Sequence, residues 1–154
     1  MGCDRIAYGK PAAKADSWGT MAAMNSQSAP TGYSGVLLGE SLRLDAVLDA
    51  DGLRVKRLWR TAAGDPEAGQ PSVWTFIEFE VESDATAAAA SLRDVLDETG
   101  GWYCSFGSVD EMIVVFSGRV FRYPRGETSG RQEAEAYARS VGVPDAQLDW
   151  EDWK

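Results

Sequence analysis

The sequence predicts an α+β fold, a mostly antiparallel sheet of five or six strands with two helices packed on one face. Three observations carry that prediction. Residues 73–82 alternate, with Val73, Thr75, Ile77, Phe79 and Val81 on one side and Trp74, Phe76, Glu78, Glu80 and Glu82 on the other, the two-residue period of a strand. Residues 84–98 change period and place Ala85, Ala88, Ala89, Leu92, Val95 and Leu96 at the spacing of an amphipathic helix. Residues 102–123 then supply three short apolar runs separated by turn residues, the pattern of a meander.

In chain order, residues 1–32 come first, rich in Gly, Ala, Ser, Thr and Pro and without period, and read as a flexible leader. Met21 and Met24 stand just before the patterned region, so the first twenty-odd residues read equally as an upstream extension. The patterned domain is expected over residues 33–150, with 151–154 as an acidic-aromatic tail end. Residues 35–38 form a short apolar run, followed by a turn after what is expected to be an edge strand. Residues 53–61 make a basic strand carrying Arg54, Lys56, Arg57 and Arg60, and its alternation slips at Lys56 and Arg57, which predicts a bulge. The helix over 84–98 starts after Ser83 and stops at Gly100 and Gly101.

Residues 102–106, 111–116 and 119–123 read as strands, and the middle one, apolar on both parities, should be central. A second helix opens at Ser129, which with Gln132 has the form of a capping box, and runs to Val141 with Gly142 and Pro144 ending it. The expected core includes Val55, Ile77, Phe79, Val81, Leu92, Leu96, Val114, Phe116 and Tyr137.

Composition narrows the chemistry. The 154 residues contain no histidine, which removes Ser/His/Asp and Cys/His nucleophile systems and histidine-ligated metals. Two cysteines, Cys3 and Cys104, support neither a thiolate metal site nor a disulfide framework, and alternation places Cys104 with Trp102 and Phe106 as a small buried hydrophobe. No metal and no cofactor are expected. No run of about 18 apolar residues exists to span a bilayer, so no membrane association is expected, and a cytoplasmic protein is the default reading. The net charge of −9 repels nucleic acid and favours a basic protein partner.

Two segments could carry a site. The loop and helix start over residues 122–131 bring Arg122, Arg125 and Arg131 together with Ser129 at a helix N-terminus, a pattern suited to a phosphate or carboxylate. Ser129 is sufficiently explained as a cap, however, and Glu127 would repel an anion. The C-terminal residues Asp149, Trp150, Glu151, Asp152 and Trp153 set aromatic anchors among carboxylates, as in a docking segment for a basic, apolar groove. The competing reading is that Leu148 and Trp150 pack back on the domain. Glu78, Glu80 and Glu82 are best explained as ion-pair partners of the basic strand. Trp59, Trp74 and Phe76 are the expected apolar surface if the chain forms a homodimer.

The stretches GVLLGESLR at 35–43, QPSVWTFIEFE at 70–80, VFRYPRGE at 120–127 and GVPDAQLDW at 142–150 resemble those of uncharacterised conserved bacterial proteins of actinomycete type. That resemblance implies no activity. The functional expectation is a non-enzymatic acidic protein-binding module of inhibitor, immunity or antitoxin-like kind. The alternative is a small-ligand or phosphoester-handling protein using the Arg125–Arg131 loop, and a cavity onto which Arg125 or Arg131 converges would favour it.

Overall fold

The computed structural model describes residues 32–49, 52–63, 69–82 and 84–152. The leader expected over residues 1–32, apart from Gly32, lies outside the described residues, as do Cys3, Trp153 and Lys154. Six strands, β1 (Ser34–Leu38), β2 (Leu53–Ala62), β3 (Val73–Val81), β4 (Cys104–Gly107), β5 (Glu111–Phe116) and β6 (Arg119–Pro124), form one sheet in the order β2-β3-β1-β4-β5-β6. Every neighbouring pair is antiparallel. Helix α1 spans Ala85–Val95 and α2 spans Thr128–Ser140. The α+β class and the sheet are therefore those the sequence predicts.

The placement of the helices is not. Strand β5 shows why, because its alternate residues enter two different cores. Ile113 and Val115 pack with Ala85, Ala88, Ala89 and Leu92 of α1, together with Leu37, Phe79 and Phe106. Met112, Val114 and Phe116 pack with Ala134 and Ala138 of α2, and with Tyr103, Tyr123, Leu148 and Trp150. The two helices thus lie on opposite faces of the sheet. A third cluster, Val36, Leu38, Ala63, Trp74 and Phe76 with Trp59 and Trp102 against it, continues the α2 face across β1, β3 and β2.

Strand β1 is central rather than an edge, pairing β3 on one side and β4 on the other. The close β1–β4 approach depends on Gly35, where an added Cβ would stand 2.3 Å from the Ser105 carbonyl oxygen. The turn after β1 is structural: Ser41 is buried with its hydroxyl on the Leu38 carbonyl, and Glu40 accepts from the Thr75 amide and hydroxyl at 2.7 and 2.8 Å. The predicted bulge falls between Val55 and Arg57. Arg54, Lys56 and Arg57 reach across to Glu80, Glu82 and Glu78 as ion pairs, as expected of that strand face.

Three expectations need correction here. Val55 is 56% exposed rather than core, because β2 is the sheet edge and helix α1 packs over β5 and β6 instead. Trp74 and Phe76 are buried within this chain, so they are spent as a homodimer surface. Ser129 is not the cap of α2; the helix starts at Thr128 with Glu127 in the capping position, and no side chain closes the first turn. The far end does follow the glycine expectation. Gly142, at φ 91°, donates to the Arg139 carbonyl and Val143 to that of Ala138, the paired bonds of a Schellman stop. Among the described residues no helix is long and apolar enough to cross a membrane.

Candidate functional site

The Schellman stop turns the chain back over the α2 face, and the returning segment builds one wall of a cleft. Leu148 and Trp150 are buried in the α2-side core. The Trp150 ring meets Tyr103 edge-on at 5.3 Å, and its indole Nε1 donates to the Tyr123 hydroxyl at 2.8 Å. The Tyr103 hydroxyl in turn donates to the Gln147 carbonyl. Glu151 accepts from Arg131 at 2.6 Å, and Arg131 also holds Glu135 at 2.7 Å. Burial, together with the Glu151 carboxylate beside it, pushes the Tyr123 phenol well up, so it stays protonated at any physiological pH.

This placement bears on two of the five residues expected to dock a partner. Trp150 is a core side chain and Glu151 an internal ion-pair partner, so these two residues of the segment are used within the fold. Trp153 lies outside the described residues.

The four residues proposed as an anion grip do not converge. Arg122 points to the α1 face, where its Nε donates to Glu111 at 2.8 Å and its Nη1 to the Thr86 hydroxyl at 3.0 Å. Tyr33 donates to the same carboxylate. The Arg122 hydrogen bond, foremost, holds the Glu111 carboxyl below its ordinary range. Arg131 is consumed by Glu135 and Glu151, and Ser129 is exposed on the first turn of α2.

Arg125 is different. It lines a cleft of about 400 Å³ on the α2 face, with Ser34, Ser105 and Ser108 as hydroxyl groups and Met112, Val109 and Trp150 as apolar wall. Its Nε donates to the Ser108 carbonyl at 2.6 Å and its backbone amide to that of Asp110 at 2.8 Å, which fixes the base of the side chain to the β4–β5 turn. The turn is itself tied by the Ser108 hydroxyl, which accepts from the amides of Asp110 and Glu111. Gly107 gives the guanidinium room: a Cβ there would lie 3.2 Å from Arg125 Nη2 and 2.7 Å from Met112 Sδ. No carboxylate of the described residues pairs with Arg125, in a chain where acidic residues outnumber basic ones by 24 to 15.

The cleft is assembled from chain positions that no local motif connects. Arg125 was legible as an anion-binding candidate, and Ser105 carried a weaker signal as the polar residue facing away from Cys104 and Phe106. Ser34, Ser108 and Met112 gave none, because only the β1–β4 pairing and the β4–β5 hairpin bring them together. The chain matches no protein-family model, no curated protein and no solved structure.

Proposed function

We propose that the protein binds a small amphipathic monocarboxylate in the cleft of the α2 face. The observation that carries this reading is Arg125: a guanidinium anchored at Nε, left without a carboxylate partner, at the wall of a cavity whose volume suits a small molecule. An arginine fork matches a carboxylate in two parallel hydrogen bonds, and the low surrounding polarity strengthens them. The serine hydroxyls orient the head group, and Val109, exposed at the cleft, meets the apolar body above the floor that Met112 and Trp150 form. A dianion such as phosphate fits less well. One arginine would face two charges, inside the repulsive field of a chain of net charge −9.

The test uses octanoate and phenylacetate as probes, with octanol and inorganic phosphate as controls. The two carboxylates raise the unfolding midpoint saturably, because a ligand at about a hundred times its dissociation constant adds about 2.7 kcal/mol to the folded state. They also change the tryptophan emission, to which Trp150 contributes, while phosphate leaves the midpoint within about a degree. Arg125→Gln loses the response. Equal responses to octanol and octanoate, or an unchanged response in Arg125→Gln, would overturn the proposal.

A further inference from the structure

One hydroxyl of the cleft is unlike the others. Among the described residues two serines are buried, Ser41 and Ser105. The Ser41 hydroxyl is satisfied within the fold, donating to the Leu38 carbonyl at 2.6 Å. Ser105 is 7% exposed, lines the cleft, and its hydroxyl has no hydrogen-bond partner among the described residues. A hydroxyl taken out of water without a partner is costly to the folded state, and native proteins keep few of them. This one opens on the same cavity as the Arg125 guanidinium.

The strand fixes how far apart the two groups stand. Ser105 and Gly107 pair with Val114 and Met112 of β5, so both face the α2 side of the sheet. Arg125 Nη2 stands over Gly107, 3.2 Å from where a Cβ would be. Two residues of an antiparallel strand span about 7 Å. Two hydrogen bonds of about 2.9 Å each do not bridge that step through one ligand atom, so different atoms of the ligand meet the two groups. With Nε held by the Ser108 carbonyl, the two Nη groups are the end that takes both carboxylate oxygens. The Ser105 hydroxyl is then left to a substituent on the adjacent carbon.

We propose that the cleft selects a 2-hydroxycarboxylate, with Arg125 on the carboxylate and Ser105 on the 2-hydroxyl. The inference rests on the carboxylate reading of the cleft and enlarges the head group that the serines orient. A ligand hydroxyl suits Ser105 because each can donate to or accept from the other. A plain fatty acid sets a methylene against Ser105 and leaves its hydroxyl unpaired, and a site built around a ligand hydroxyl disfavours the analogue that lacks it. Carboxylate, hydroxyl and the apolar body beside Val109 are three separate points of attachment. Three such points distinguish the two mirror images of the acid.

The experiment titrates the full chain calorimetrically with octanoate, with each enantiomer of 2-hydroxyoctanoate, and with 8-hydroxyoctanoate, whose hydroxyl lies at the far end. One enantiomer of the 2-hydroxy acid binds about five- to tenfold more tightly than octanoate, the gain of one hydrogen bond, and 8-hydroxyoctanoate shows no such gain. In Ser105→Ala the ratio of that enantiomer's affinity to octanoate's falls to about one. The same substitution leaves the unfolding midpoint of the free protein undiminished, because the hydroxyl it removes has no partner to lose. A midpoint lowered by several degrees would show that Ser105 is bonded within the fold and would overturn the proposal. Octanoate binding with neither 2-hydroxy enantiomer tighter, or a preference that survives in Ser105→Ala, overturns this inference and leaves the carboxylate reading standing. Failure of all the acids to bind removes both.

Discussion

At the scale of single residues, the chain spends its polar groups inside the fold more fully than its acidic composition suggests. Trp150 illustrates the point. Set between Asp149 and Glu151, it has the sequence signature of an exposed anchor, yet it is 1% exposed and hydrogen-bonded through its indole. Truncation to alanine should therefore cost about 3–5 kcal/mol in urea denaturation, the range for removing a large buried aromatic, and a loss below about 1 kcal/mol would place the ring at the surface. Glu111 makes the electrostatic case. Its carboxyl is held below the ordinary glutamate range by Arg122 and Tyr33, so its contribution is present at neutral pH and is lost as pH falls through its native value. The group is partly solvated, which limits the gain to about 1 kcal/mol or less. Glu111→Gln should lower stability at pH 7 and flatten the loss of stability as pH falls below the ordinary glutamate range; a parallel loss at neutral and acid pH would contradict this.

At the scale of elements, period and turn chemistry made most of the fold legible, and the failures have local causes. Helix α1 declared itself because it buries one continuous face, and β3 because its side chains alternate throughout, although its buried side changes along the strand, with Trp74 and Phe76 on the α2 face and Phe79 and Val81 on the α1 face. The start of α2 misled because Ser129 and Gln132 have the form of a capping box, while the chain enters the helix one residue earlier from Glu127. Helix α2 also contains Gly130, which propensity alone would replace: alanine in a helix interior gains about 1 kcal/mol over glycine. Packing reverses the sign. A Cβ at Gly130 would lie 2.4 Å from Tyr123 Cβ, in the backbone-proximal part of a buried side chain that cannot swing aside. Gly130→Ala should lower the thermal midpoint rather than raise it. A rise would show that α2 stands further from β6 than described.

At the scale of the whole molecule, the arrangement follows from β5. A strand apolar on both parities must be covered on both faces, and the apolar run Met112–Phe116 marks β5 as such a strand in the sequence, while nothing local to either helix marks the face it takes. Once α1 and α2 occupy opposite sides, the C-terminal segment has to return over the α2 face, and its edge together with the β4–β5 turn leaves the cleft that Arg125 lines. The cleft was beyond sequence reading because it depends on that return and on the β1–β4 pairing, not on any one segment. The central claim is that the free end of the Arg125 side chain receives a carboxylate. The most direct measurement is nitrogen-resolved NMR of the arginine side chains during titration with octanoate. The account predicts that the Arg125 Nε–H resonance shifts saturably, with the same midpoint as the rise in unfolding midpoint, and that octanol does not move it. A carboxylate-specific shift at Arg43, Arg60 or Arg119 with Arg125 unmoved would contradict it.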